Sequence, residues 1–328
     1  MKKISLLLTV AIVALINVAC QNNTATNTST SGIAKISCDE SFRNILDQEV
    51  EVFEYSYPDA SIMVDYIDEA AALDSLMHRN VDLIITSRDL TDDQRKILEK
   101  QGRAHRSRKI AVDAVAVIVN TANDIDELSM AELKEIFTGQ SRKWGDLFPT
   151  TLKRDSIKIV LDQTGSGLVH FLKDKFTDGR DFGNTISVFA QKSSEEVFKT
   201  VMSNKNAIGF VGVSWITADM KATEMTMEQR IDELKNKNEV SVIDFTDRIK
   251  VLAVRPDDAI TARKPYQAYI NTGEYPLFRT IWAIDASAGG TLDHGFFSFL
   301  TGVIGQKIIL QTGILPAAEP VRYVETVK

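Results

Sequence analysis

Two α/β lobes, each a mostly parallel sheet with helices on both faces and joined by two hinge crossings, are what this sequence predicts. Three observations carry the expectation. Short apolar runs alternate with helical patterns in a β-α-β-α-β-α rhythm, which builds a parallel sheet covered by helices. The rhythm breaks at one long apolar run, IAVDAVAVIVN at 110–120, and then restarts. A further apolar segment near 249–254 could carry the chain back. The body from residue 33 to residue 328 is long enough for two domains.

The first lobe opens on an alternating strand, Ile33 to Ser37, and a helix begins at Asp39-Glu40-Ser41 with Phe42, Ile45, Leu46 and Val50 on one face. Ser61–Tyr66 is a second strand and Glu69–Arg79 a helix. Val81–Ile85 reads as a strand buried on both faces, and Thr91-Asp92-Asp93-Gln94 as a capping box. In the second lobe, capping boxes at Ser129–Glu132 and Ser193–Glu196 open helices, and Gly167–Phe176 is another. Strands are expected at Ile157–Leu161, Thr185–Phe189 and Ala207–Val213. Residues 219–238 form a highly charged helical insertion. Leu277–Ile284 is a strand, followed by helices at Thr291–Thr301 and Gly305–Thr312, with Gly313 as C-cap. Residues 33–115 and 250–328 thus make lobe 1 and residues 116–249 lobe 2, with crossings near 113–121 and 245–252.

The start of the chain points to export. Lys2 and Lys3 precede an apolar run, Leu6–Ile16, and Val18-Ala19-Cys20 follows. That order describes a secretory signal. Residues 1–20 read as a lipoprotein signal with lipobox Cys20, although Asn17 stands where such signals usually place Leu. The protein is expected to be periplasmic and anchored to the membrane only by lipid on Cys20. Residues 21–32, QNNTATNTSTSG, have no large apolar side chain and read as a flexible tether. With Cys20 lipidated, Cys38 has no partner and no intrachain disulfide forms.

Charge limits the partners. Of 38 basic residues, Lys2 and Lys3 belong to the signal, so the remaining 36 face 45 acids. A net of −9 argues against nucleic acid. It leaves room for a small anion, whose site is local.

Ligands of parallel sheets gather beyond the carboxyl ends of the strands, where helix N-termini present unpaired N–H groups. After the first strand come Ser37, Cys38, Asp39 and Ser41. Here hydroxyls and amides serve either an anion or simple helix capping. After the third come Ser87 and Arg88, which can grip an oxyanion with charge-assisted hydrogen bonds or pair with neighbouring acids. Gly165, Ser166 and Gly167 let a backbone approach a ligand closely, or make only a tight turn. Asp113, inside the apolar crossing strand, needs a partner, either Arg88 or a protonated ligand. A hydrolase using Ser166 is the enzymatic alternative, but Thr164 and Leu168 spoil the G-x-S-x-G elbow. The four histidines show no metal-ligand spacing, so no metal or cofactor is expected.

The order of motifs resembles the phosphate-binding lipoproteins of bacterial ABC importers, the PstS-like family of type II periplasmic binding proteins. The matching segments are ISCDESF (36–42), VDLIITSRDLTDDQ (81–94), IAVDAVAVIVN (110–120), LKEIFTGQSRKWGDL (133–147), DQTGSG (162–167), NAIGFVGVSWI (206–216) and FLTGVIGQKIILQTGILPA (299–317). They cover nearly the whole body in the family's order. The resemblance implies a non-catalytic, monomeric binding protein that holds inorganic phosphate or a similar small anion between its lobes without metal. It also implies docking on an ABC permease driven by an ATPase. It assigns the ligand to Ser37, Cys38, Asp39 and Ser41, to Ser87 and Arg88, and to Gly165, Ser166 and Gly167. Asp162 stands near the place where the family often has an Arg, Leu168 replaces a Thr, and Asp68-Glu69-Ala70-Ala71 replaces a Gly/Ser-rich loop. Another small polar solute, or a sensing role, is the rival reading.

Overall fold

The computed structural model describes residues 27–183, 186–217, 226–236 and 245–318. The expected signal, Cys20 and most of the tether lie outside the described residues. Twelve strands are described: β1 (Gly32–Asp39), β2 (Ala60–Ile67), β3 (Leu83–Thr86), β4 (Arg106–Val119), β5 (Glu127–Ser129), β6 (Lys158–Leu161), β7 (Ser187–Ala190), β8 (Ala207–Gly212), β9 (Lys250–Val251), β10 (Ala253–Arg255), β11 (Phe278–Asp285) and β12 (Leu315–Pro316). The main helices are α1 (Arg43–Ser56), α2 (Glu69–Met77), α3 (Asp92–Lys100), α4 (Met130–Thr138), α5 (Gly167–Thr177), α6 (Ser194–Ser203), α7 (Met227–Asn236), α8 (Leu292–Leu300) and α9 (Val303–Gln311).

One sheet runs in the order β2-β1-β3-β11-β4-β8-β6-β7. Its two halves are the two lobes, and β4 belongs to both. The first part of β4 pairs antiparallel with β11, and Val115–Val119 pair antiparallel with β8. Strands β1, β2 and β3 are mutually parallel, as are β6, β7 and β8. The lobes are therefore mostly parallel: in the first, β11 runs antiparallel to both β3 and β4, and in the second β8 runs antiparallel to β4. Because β4 reverses direction relative to β8, the carboxyl ends of the two parallel sets face each other.

Local chemistry sets the helix starts. The capping boxes of α3 (Thr91 with Gln94) and α4 (Ser129 with Glu132) are reciprocal. Ser193 accepts from Glu196 N, but the Glu196 carboxylate reaches Lys192 N instead of returning to Ser193. Gly313 adopts φ +88° just beyond α9, the left-handed conformation that stops the helix.

Three features differ from the expectation. Ala253–Arg255 find a parallel partner in Glu127–Ser129, so the chain stays with the second lobe through β10. Past β10, Gln267 bonds Leu310 O and Ile314 O of the first lobe, so the return lies later than the expected 245–252. Residues 27–31, expected as part of the tether, form a turn against α8, where Asn27 Oδ1 accepts from Leu292 N. Of the charged insertion, the described helix α7 buries Leu234 beside Val52 of α1 and Ile308 of α9. It docks on the first lobe because Met227, Ile231 and Leu234 give it an apolar stripe.

Glu49 of α1 is fully buried beneath α7. Both its carboxylate oxygens lack a hydrogen-bond partner among the described residues. Burial pushes its carboxyl well above the ordinary range, and the Arg230 charge only partly offsets this. Glu49→Met is expected to stabilise the fold by about 1–3 kcal/mol near neutral pH, the cost of an unsatisfied buried polar group. Urea unfolding measures it; a loss of stability would show that the carboxyl is satisfied in solution.

Candidate solute-binding site

The facing strand ends bring groups of both lobes into contact. Asp39 ends β1 and is completely buried. Its Oδ1 accepts from Ser41 N at 2.9 Å and Ser41 Oγ at 2.7 Å, which caps the 3₁₀ turn Glu40–Phe42 leading into α1. Its Oδ2 accepts from Gly167 N, the first amide of α5 in the other lobe, at 2.6 Å. One carboxylate thus collects donors from both lobes. Burial raises the Asp39 carboxyl above its ordinary range, opposed by the Arg279 charge and these hydrogen bonds.

Asp113 finds its partner across the sheet. It stands opposite Arg279 in the β4–β11 register. Arg279 Nε and Nη2 donate to Asp113 Oδ2 at 3.2 and 3.1 Å. This corrects the expected pairing with Arg88, and the reason is register: an antiparallel neighbour is held opposite, whereas Arg88 leaves from the end of β3. Asp113 Oδ1 accepts from Val213 N of the second lobe. Arg279 Nη2 also donates to Ser41 Oγ at 3.0 Å, and its guanidinium lies 4.3 Å from the Phe42 ring centroid. Its Nη1 is buried without a hydrogen-bond partner among the described residues.

Asp162, after β6, is 1% exposed. Ser166 caps α5 by accepting from Val169 N and donates its hydroxyl to Asp162 Oδ1 at 2.5 Å. Asp162 Oδ2 has no partner among the described residues. Burial, with Asp39 adding repulsion, pushes the Asp162 carboxyl up to about 8. The folded protein therefore keeps a proton there that the unfolded chain, near 3.8, releases. Stability tied to this group is full below about pH 4 and is lost as pH rises through about 8. The expected result is a thermal midpoint that declines over that window in the wild type and declines less in Asp162→Asn. Identical slopes would show that Asp162 is already ionised.

The remaining residues form a rim. Glu40 Oε2 accepts from Ser194 N and Oγ at the start of α6, while Oε1 lies 3.7 Å from Arg43 Nε and makes no hydrogen bond among the described residues. Glu69 Oε2 accepts from Ser87 N and Oγ at 2.6 and 2.5 Å. Its Oε1 lies 3.5 Å from Arg88 Nε and 3.7 Å from His170 Nδ1. Burial pushes Glu69 up, but these donors and charges outweigh it and hold the carboxyl below its ordinary range. Arg88 is about half exposed (44%) and also donates to Gln94 and Asp89 O. Cys38 packs in the core, with its thiol donating to Asp39 O, and burial raises its pKa. Ser37 Oγ is buried with no partner among the described residues.

The two glycines are points of close approach between lobes. A Cβ at Gly165 would lie 2.8 Å from Asp68 Cγ, and one at Gly167 would lie 2.8 Å from Ser87 Cβ and 2.9 Å from Asp39 Oδ2. Trp215 Nε1 adds a bond to Ser41 O across the cleft at 3.0 Å.

Asp39, Ser41, Asp113, Ser166 and Gly167 therefore converge at the interlobe contact. Ser87 and Gly165 border it, Arg88 lies at its edge, and Ser37 and Cys38 lie behind it. Arg279, Glu40 and Glu69 are not among the site residues expected from the sequence, and Asp162 is expected only as a departure from the family pattern. One signal for Arg279 was available. It shares the inward parity of Leu277, Ile281 and Ala283 in an apolar strand, as Asp113 is embedded in its own. Among the described residues no group of three or more His, Cys, Asp or Glu is placed to hold a metal ion. No described helix is long and apolar enough to cross a membrane.

Two α/β lobes hinged along a shared strand, with helix N-termini converging between them, define a two-lobed binding protein. The chain belongs to the PBP superfamily, whose domain model matches residues 23–302. It is 25% identical over 266 residues to the phosphate-binding protein PstS of Staphylococcus saprophyticus, covering 80% of this chain and 73% of that protein. It spans 64% of the PstS of Staphylococcus epidermidis, also at 25% identity. A protein from Clostridium perfringens, described as a phosphate ABC transporter substrate-binding protein and solved with bound phosphate, superposes with a TM-score of 0.67. The identity is 20%, over 88% of this chain and 100% of that one. An ABC-type phosphate transport receptor from Vibrio cholerae gives 0.59 at 20% identity, over 86% and 99%. These structures share the fold.

Proposed function

We propose that this protein is the solute-binding component of a bacterial ABC importer and takes phosphate, or a related oxyanion, between its lobes. The observation that carries the reading is the Asp39 carboxylate, itself an oxyanion, which collects Ser41 N and Oγ from one lobe and Gly167 N from the other. A solute oxyanion entering there would take over these donors and add Arg279 Nη1. Desolvation on closure would strengthen each bond. The names of the staphylococcal relatives support phosphate as the solute.

The reading extends to a protein that catalyses nothing, exported and tethered by lipid on Cys20, working as a monomer with a permease and its ATPase. Lobe 1 would comprise roughly residues 33–115 and the chain from about Gln267 onward, with the remainder as lobe 2. The buried carboxyls around the donors favour one rival, a binding protein for a different small polar solute. Titration calorimetry against phosphate, sulfate, molybdate and small carboxylates separates the two. Saturable heat with phosphate is expected; heat only with another solute would replace the ligand while keeping the role.

A further inference from the structure

A histidine and a carboxylate also meet across the cleft. His170 lies on the first turn of α5, three residues beyond Gly167, with its N–H bonded to Ser166 O at 3.0 Å. Its Nδ1 is 3.7 Å from Oε1 of Glu69, the first residue of α2 in the other lobe. The helix that carries Gly167 N to Asp39 therefore carries His170 to Glu69 in the same movement. Glu69 is buried and bound by Ser87 N and Oγ of its own lobe, so its carboxylate is fixed before the lobes meet. His170 is half-exposed, and its ring keeps access to solvent protons.

Glu69 faces the imidazole from α2. Arg88, from the turn after β3, shares Glu69 Oε1 at 3.5 Å, and Lys173, one turn further along α5, is engaged with Asp181. The bond to Glu69 raises the imidazole above its ordinary value, opposed by burial, Lys173 and Arg88. Despite its burial, Glu69 moves the other way, below the ordinary carboxylate range, under the donors His170 and Ser87. Opposite shifts are what an ion pair produces. Once the lobes part, His170 loses this carboxylate, and the cause of its raised value goes with it.

Resting on the solute-binding reading above, we propose that His170 is a proton-linked latch: its protonated imidazole donates to Glu69 across the cleft, so that closing over the solute takes up a proton. The latch is at full strength below the ordinary histidine value of 6.5 and is lost as pH rises through the raised one. Acid therefore holds the protein shut, and alkali eases release. Coupling is reciprocal, so bound solute makes His170 harder to deprotonate.

Calorimetry of phosphate binding by the full chain and by His170→Gln, at pH 6 and at pH 9, tests this. Glutamine keeps a hydrogen-bond donor but never carries the charge, and phosphate's own protonation affects both chains equally. At pH 6 the wild type is expected to bind about two- to fivefold tighter than the variant, the value of a partly exposed ion pair. At pH 9 the two should bind alike. Nuclear magnetic resonance of the imidazole should give a higher titration midpoint with phosphate than without it. An affinity ratio that is the same at both pH values, or a midpoint that phosphate does not move, overturns the inference and leaves the solute reading standing. Absence of phosphate binding by the wild type overturns that reading, and this one with it.

Discussion

Arg279→Met is expected to lower phosphate affinity by at least about 100-fold and to cost about 3–5 kcal/mol of fold stability. Both effects come from one buried guanidinium. It is the fixed cation of the interlobe cluster, and it neutralises Asp113, which lies fully buried between strands. Truncation leaves Asp113 as an unpaired charge in the sheet. The double variant Arg279→Met/Asp113→Asn removes that charge, so it should regain part of the stability without regaining affinity. Urea unfolding and calorimetry read the two separately. Arg88→Ala should do less than Arg279→Met, because its side chain is half exposed and engaged with Glu69. Full phosphate affinity in the Arg279 variant would remove the guanidinium from the site.

Gly167→Ala is expected to weaken binding while leaving each lobe folded. The position is the first residue of α5, where alanine suits the helix better than glycine. The added methyl group would meet Ser87 and Asp39 of the other lobe, with contacts of 2.8–2.9 Å. Overpacking of this kind costs about 1–3 kcal/mol, so apparent affinity should fall roughly 5- to 150-fold. Because the clash arises only when the lobes meet, solution scattering should show a more open average shape. Unchanged affinity and shape would mean that the lobes do not close through this contact.

Much of the architecture was legible because it rests on local chemistry. Thr91, Ser129, Ser166 and Ser193 announce helix starts that need only neighbouring residues. The length of the apolar run around Asp113 revealed a strand that serves both halves. What could not be read depends on register between distant segments. The Arg279–Asp113 pair joins residues 166 positions apart, and nothing near either residue names the other. Asp39 looked like a cap and also a ligand group; it caps Ser41 locally and holds Gly167 across the cleft. Only the facing of two sheets decides that. The chain's late return to the first lobe follows from Glu127–Ser129 offering Ala253–Arg255 an edge, another non-local event.

A structure of the protein crystallised with phosphate tests the central claim most directly. The account predicts phosphate between the lobes, within hydrogen-bonding distance of Arg279 Nη1 and Gly167 N, with the Asp39 carboxylate moved off the Gly167 amide. Phosphate bound elsewhere, with Asp39 still on Gly167 N and Arg279 Nη1 without a partner, would contradict it.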